Sequence, residues 1–306
     1  MVGSDSMSFS PAPPKAAEAA AQGAGLLIFP EMFLTGYNIG EAVVTLAEPA
    51  DGPSAAAVAK ISREAGTAIL YGYPERSGDR IFNSARLVNS AGNAIVNYRK
   101  THLYGSEENR VFQRGDSLLV AELDGLKVGI LICYDNNQPE NGRVLATRGV
   151  QVLLAPHQTG GFPIRYAGMG VIDRRLWDRR RRSPDALRRE FRGPKGREWL
   201  MRWLPSRAYD NGCYVVFSNG VGPDGDQVRT GNAMILDPHG RVMTESRALG
   251  DDVVVADLDP SPLAHNLGRS HLQTRRPELY LPLVKGRARR ASTKASRDAA
   301  IADPGG

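Results

Sequence analysis

Short runs of almost unbroken apolar residues recur along this chain, and they leave few folds open. GLLIF (25–29), TAILYGY (67–73), SARLVNS (84–90), LKVGILIC (126–133), VQVLLAP (150–156), CYVVFSN (213–219), NAMILD (232–237) and VVVADLD (253–259) have the length and β-branched content of strands. Several lack the polar alternation of a half-exposed sheet, which predicts strands covered on both faces. Between them, residues 14–23, 53–65 and 198–211 carry apolar side chains at helical spacing. Strands alternating with helices predict an α/β domain. No repeat of fixed period interrupts that reading.

Bulk properties exclude several classes. No run of 18 or more apolar residues is present, so no membrane span is expected. The start, MVGSDSMSFSPAPP, lacks the basic and apolar stretches of a signal peptide. Two cysteines do not make a disulfide framework, and a reducing, cytoplasmic setting is expected. Residues 1–14 are rich in Ser, Pro and Ala and are expected to be disordered. Residues 159–197 break the strand–helix rhythm and are dense in arginine, as an insertion would be. The tail, 284–306, is basic and then poor in apolar residues, so disorder is expected there too. Most of the net charge of +6 sits in these last two segments. They lack interleaved aromatics or a nucleic-acid motif, so solvated surface is the better reading and nucleic-acid binding is not expected.

Three residues carry the chemistry. Cys133 follows the apolar run VGILI and precedes the polar YDNNQPE. A thiol there stands at the carboxyl edge of a sheet, where open α/β folds place their sites. Its plainer reading is a small buried hydrophobe, the reading that fits Cys213 in NGCYVVFSNG. Glu31 ends GLLIFP among Phe29, Phe33 and Leu34, where partial desolvation raises a carboxyl pKa toward that of a general base. Lys100 follows the β-like run AIVNY and taken alone would be a solvated lysine. Together they form the set that acyl transfer needs: a nucleophile, a base and a cation for the oxyanion. A cysteine–histidine dyad with His102 or His157 is the weaker alternative.

The order Glu, Lys, Cys, at separations of 69 and 33 residues, resembles the nitrilase (carbon–nitrogen hydrolase) superfamily. LLIFPEMFLTGYN is similar to its glutamate motif, YRKTHLYG to its lysine motif and VGILICYDNNQPE to its cysteine motif. Glu108 matches the family's second glutamate, which positions substrate and lysine. The resemblance continues through WLPSRAYDNGCYVVFSNGVG, GNAMILDPHGRVM and RRPELY, and covers residues 15–283. It implies a four-layer α-β-β-α sandwich that assembles as a homodimer or higher oligomer. It implies that Glu31, Lys100 and Cys133 are catalytic, with Glu108 and the backbone N–H of Tyr134 positioning substrate. No cofactor or metal is implied.

The implied activity is hydrolysis of a small linear amide through a thioester, releasing an acid and ammonia or an amine. Tyr134-Asp135 after the cysteine looks like the amidase and carbamoylase branches, whereas true nitrilases usually carry Trp-Glu. A nitrilase or an N-carbamoyl amine hydrolase is the alternative, although Asn136 and Asn137 replace the arginines of the N-carbamoyl-D-amino-acid branch. The chain departs from the family in lacking a recognisable strand ahead of Leu26. That departure prompts a different reading, an inactive homologue that binds rather than catalyses. The arginine-rich insertion falls where the family shapes its acyl pocket, and reads equally as a lid selecting anions or as an oligomer contact.

Overall fold

A computed structural model describes residues 12–161 and 169–285. Residues 1–11 and 286–306, which bear nearly all of the two expected disordered ends, lie outside the described residues, as do 162–168 of the expected insertion.

Two sheets face each other. The first holds four strands in the order β1 (Leu26–Ile28), β2 (Ala68–Ser77), β3 (Arg80–Val88) and β4 (Ala94–Arg99). β1 runs parallel to β2, while β2–β3 and β3–β4 are antiparallel, so β1 and β4 point the same way. The second holds β5 (Val120–Leu123), β6 (Leu126–Ile130), β7 (Val152–His157), β8 (Tyr214–Asn219), β11 (Met234–Leu236) and β12 (Val242–Glu245). Its order is β12-β11-β8-β7-β6-β5, with β6, β7 and β8 parallel. A small hairpin of β9 (Val221–Asp224) and β10 (Gln227–Thr230) stands apart.

Ile28, Leu70, Leu87 and Tyr98 of the first sheet meet Val128, Ile130, Val152 and Leu154 of the second in one buried core. On the outer face of the first sheet, Ile69, Tyr71 and Val88 pack against Ala12, Ala16, Val58 and Ile61 of the helices Ala12–Ala21 and Pro53–Ala65. On the outer face of the second, Leu153, Val215 and Phe217 pack against Leu145, Leu204 and Ala208 of Pro139–Thr147 and Leu204–Tyr209. The layers are therefore α-β-β-α. Strands with apolar side chains on both faces are covered on both faces, as the unbroken apolar runs require.

Three expectations need correction. The helix expected over 198–211 is two helices, Arg197–Leu200 and Leu204–Tyr209. Pro205 lacks an N–H and its ring opposes the carbonyl four residues back, so one helix cannot run through. The arginine-rich stretch contains the helices Arg174–Asp178 and Pro184–Arg192 rather than loop alone. Leu187 and Phe191, one turn apart, bury against Ile172 and Val228 and give the second helix a core. VVVADLD (253–259) forms no strand among the described residues. It has no ladder partner there, and Leu258 packs against the core between the two sheets. No strand precedes β1 among the described residues, so β1 is an edge. No helix of the described residues is long and apolar enough to cross a membrane.

Candidate active site

The carboxyl edges of the two sheets bring the three expected residues together. Glu31 lies three residues past β1, in a turn where Met32 adopts a left-handed φ of 52°. That turn sits directly on Gly72 of β2. A Cβ at Gly72 would stand 2.4 Å from the Met32 nitrogen and 2.8 Å from the Pro30 carbonyl oxygen, so no side chain fits there. Lys100 immediately follows β4, with its N–H bonded to the Asn83 carbonyl at 2.8 Å. Cys133 lies three residues past β6 and opens a 3-10 turn, Cys133–Asn137.

Lys100 is the hub. Its ammonium donates to Glu31 Oε1 at 2.7 Å and to Glu108 Oε1 at 2.6 Å. Lys100 and Glu31 are both 0% exposed. Glu108, on the helix Gly105–Val111, also accepts from the Tyr37 hydroxyl at 2.6 Å and the Tyr104 N–H at 2.8 Å. Its neighbour Glu107 is exposed and pairs with Arg110 at 3.0 Å, so Glu108 alone enters the site. Asn83 donates to Glu31 Oε1 at 2.7 Å. Glu31 Oε2 is buried with no hydrogen-bond partner among the described residues. One carboxylate oxygen is thus anchored twice and the other is left for a reacting proton.

Cys133 has φ of 45°, a left-handed conformation that side chains other than glycine rarely adopt. Such strain costs about 1–3 kcal/mol and persists only where the surroundings enforce it. The backbone of Gln158, just past β7, faces the thiol and favours its ionised form, against the effect of burial. The side chain of Tyr134 is half-buried and meets Tyr104 edge-on, ring centroids 5.3 Å apart.

The charges define the resting state. Burial pushes the Cys133 thiol well above its ordinary range, the Glu31 carboxylate adds to this, and Lys100 only partly offsets it. The resting state is therefore the thiol, although Lys100 taken alone would favour a thiolate. A buried thiol beside a carboxylate keeps its proton until a base removes it. Glu31 is raised too, by burial first and by Glu108, against the opposing pull of Lys100. Burial works against the charge on Lys100, but Glu108 and Glu31 outweigh it and hold the ammonium well above its ordinary range.

The histidines lie elsewhere. His157 Nε2 is 2.9 Å from Asn136 Nδ2, and burial keeps its ring neutral. His102 Nδ1 is 3.2 Å from Asp135 Oδ1. Among the described residues neither is hydrogen-bonded to Cys133. Asn136 is buried and donates to the Leu131 carbonyl at 2.7 Å, so it braces the turn, while Asn137 is exposed.

Sequence reasoning missed four residues: Tyr37, Asn83, Asp135 and Gln158. Asn83 and Ser84 are adjacent polar residues buried in the middle of β3, and that pair in mid-strand is the signal that could have found Asn83. Asp135 is fully buried and accepts from the N–H groups of Thr101, His102 and Ile132 at 3.1, 2.8 and 3.1 Å and from the Tyr98 hydroxyl at 2.8 Å. It pins the segment after Lys100 to the turn that holds Cys133. Asp135→Ala would leave these donors unpaired. We expect a loss of roughly 3 kcal/mol or more, since each orphaned buried group costs about 1–3 kcal/mol. Chemical denaturation would read it, and an unchanged midpoint would count against the pin.

Among the described residues no cluster of three His, Cys, Asp or Glu side chains has metal-holding geometry. The chemistry available at the site is that of a thiol, a carboxylate and an ammonium.

Comparison with known proteins places this geometry. The carbon-nitrogen hydrolase family model matches residues 14–264. The "Hydrolase in pqqF 5'region" of Pseudomonas protegens is 39% identical over 270 residues, covering 87% of this chain and 82% of that protein. An (R)-stereoselective amidase from Pseudomonas sp is 34% identical over 236 residues, covering 76% and 73%. Among solved structures, the amidase of Nesterenkonia sp. AN1 superposes with a TM-score of 0.68 at 26% identity, covering 89% of this chain and 91% of that one. A variant of that amidase carries the product of Michael addition of acrylamide at its active site cysteine. With a family match over most of its length and the same layered fold, the chain belongs to the carbon-nitrogen hydrolase family of the nitrilase superfamily.

Proposed function

We propose that this protein hydrolyses a small linear amide through a thioester on Cys133. The observation that carries this reading is the buried chain Glu108–Lys100–Glu31, which leaves one unpartnered carboxylate oxygen in the neighbourhood of a strained thiol. Amide chemistry is further supported by the relatives, two of which are named amidases.

Each residue then has one task. Glu31 takes the Cys133 proton through Oε2 as sulfur attacks the carbonyl carbon. Lys100 and the Tyr134 backbone N–H stabilise the oxyanion. As the tetrahedral species collapses, the C–N bond breaks and Glu31 returns the proton to the leaving nitrogen. Water then attacks the thioester and gives a proton to Glu31. The acid departs, and that proton restores the Cys133 thiol. Glu108 fixes the Lys100 ammonium and, through its contacts with Tyr37 and Tyr104, the wall on which the substrate rests. The ammonium remains charged throughout the neutral range, so it serves as an electrostatic group and not as a base.

A panel of linear amides, N-carbamoyl amines and nitriles, assayed for ammonia and acid release, tests the substrate class. The reading requires amides to be turned over with the highest kcat/KM. Preference for a nitrile or carbamoyl amine would replace it.

The pH profile follows from Glu31. A base must be ionised, and the Glu31 pKa lies above the ordinary 4.5. As pH falls through that raised pKa the carboxylate gains a proton and turnover is lost. The acid limb of kcat/KM is therefore expected above pH 4.5, and full activity persisting down to 4.5 would contradict the assignment.

A further inference from the structure

Arginine is almost never fully buried unless it is paired, because its charge loses water. Arg229, in β10, is 1% exposed and is the largest of the fully buried side chains among the described residues. It belongs to the small hairpin that stands apart from both sheets. A cation sunk there needs a physical reason, and its contacts supply one.

The guanidinium reaches in three directions. Nε donates to Asp224 Oδ2 at 2.8 Å, and Nη2 lies 2.7 Å from the same oxygen. Nη1 donates to the Gly160 carbonyl at 3.1 Å. Its central carbon lies 5.3 Å from the centre of the Tyr37 ring, within the range of a cation–π contact.

Each direction leads to the active centre. Tyr37, in the loop after β1, donates to Glu108 Oε1 at 2.6 Å, and Lys100 donates to that same oxygen at 2.6 Å. Asp224 grips this loop a second time, since its Oδ1 accepts from the Asn38 N–H at 2.9 Å. Gly160 lies two residues past Gln158, whose backbone faces the thiol. The loop at Gly160 lies flat on the hairpin: a Cβ at Gly161 would stand 2.1 Å from the Val228 carbonyl oxygen. The loop after β1 extends from the first sheet and the loop after β7 from the second. Glu31 and Lys100 likewise follow strands of the first sheet, and Cys133 follows a strand of the second.

We propose that Arg229 is a positioning residue that keeps the Glu108–Lys100–Glu31 chain aligned with Cys133 across the two sheets, acting through Tyr37. The inference rests on the reading of Cys133 as the nucleophile served by that chain. Arg229 touches no reacting atom. It holds the Tyr37 ring, the Tyr37 hydroxyl holds Glu108, and Glu108 holds the Lys100 ammonium. A buried, hydrogen-bonded network of this kind makes one arrangement rigid.

The test measures alkylation of Cys133 by iodoacetamide in the full chain at neutral pH, mapped by mass spectrometry, with no amide present. Arg229→Met combined with Asp224→Asn removes both charges, so no buried ion is left unpaired, and the asparagine oxygen still accepts from Asn38. Arg229→Lys keeps the charge but lacks the planar fork that meets Asp224, Gly160 and Tyr37 together. Circular dichroism and Tm establish that each variant is folded. Alkylation is expected to slow at least about fivefold in both, the scale of coupling within one hydrogen-bonded network. Tyr37→Phe, which removes only the hydrogen bond to Glu108, should slow it similarly. Combining Tyr37→Phe with the Arg229 change should fall at least about threefold short of the product of the separate effects, because both act on one path. Folded Arg229 variants that react at the unchanged protein's rate or faster overturn the proposal. So do effects that multiply, which would make Arg229 a brace of the hairpin alone. If Cys133 of the unchanged protein reacts no faster than Cys213, the nucleophile reading falls and this proposal with it. A panel in which no amide is turned over leaves the alkylation cycle readable, so failure of the amidase reading is distinct.

Discussion

Cys133→Ala is expected to reduce turnover by roughly 10⁴-fold or more while leaving the fold intact, because the thiol is the covalent centre and nothing near it substitutes. The fold survives because the side chain fills little volume, and because the turn is held by its own Asp135 and Asn136 side chains, which bond to the backbone of Ile132 and Leu131, not by the sulfur. Cys133→Ser should be nearly as damaging. A hydroxyl is a poorer nucleophile than a thiol, and a base matched to the thiol is mismatched to it. Circular dichroism must show a native spectrum for the assay to count. Substantial turnover by a folded Cys133→Ala protein would remove the cysteine from the mechanism.

Lys100→Ala has the second largest expected effect, and it acts twice. Activity should fall at least about 10²-fold, the usual cost of one oxyanion donor. Stability should also fall, since removing Lys100 leaves two buried carboxylates, Glu31 and Glu108, without the cation they share. Breaking one partner of a buried charge cluster costs about 3–5 kcal/mol. Glu31→Gln should also cost about 10²-fold or more in turnover, through loss of the base. It keeps the shape and leaves the Lys100–Glu108 pair in place, so its stability loss should be the smaller of the two. Adding either change to Cys133→Ala should reduce turnover no further, because the three residues act as one unit. Near-normal rates in a folded Lys100→Ala or Glu31→Gln protein would break the set.

Why the sequence disclosed some of this and hid the rest is a matter of distance along the chain. Runs such as LKVGILIC and VQVLLAP announce buried strands, because the demand for apolar cover on both faces is met residue by residue. Glu31, Lys100 and Cys133 are legible because each follows such a run and so falls at a sheet edge. The contacts that hold them are not local. Asn83 reaches Glu31 across 52 residues and Tyr37 reaches Glu108 across 71, and neither partner leaves a mark in its own neighbourhood. Asp135 stands two residues from the nucleophile, but its role depends on the backbone of Thr101 and His102 more than 30 residues away. The thiol's charge state is hidden in the same way. Lys100 suggests a thiolate when read as a lone neighbour, whereas burial and two carboxylates reverse the balance. VVVADLD read as a strand because its side chains are those of a strand. A strand also needs an edge to pair with, which composition does not supply.

The most direct test is to quench the enzyme in acid during turnover of a simple amide and map the protein by mass spectrometry. The account predicts the acyl mass on the peptide bearing Cys133 and none on the peptide bearing Cys213. Steady turnover with no acyl adduct on Cys133 under any quench time, together with an adduct elsewhere, would contradict it.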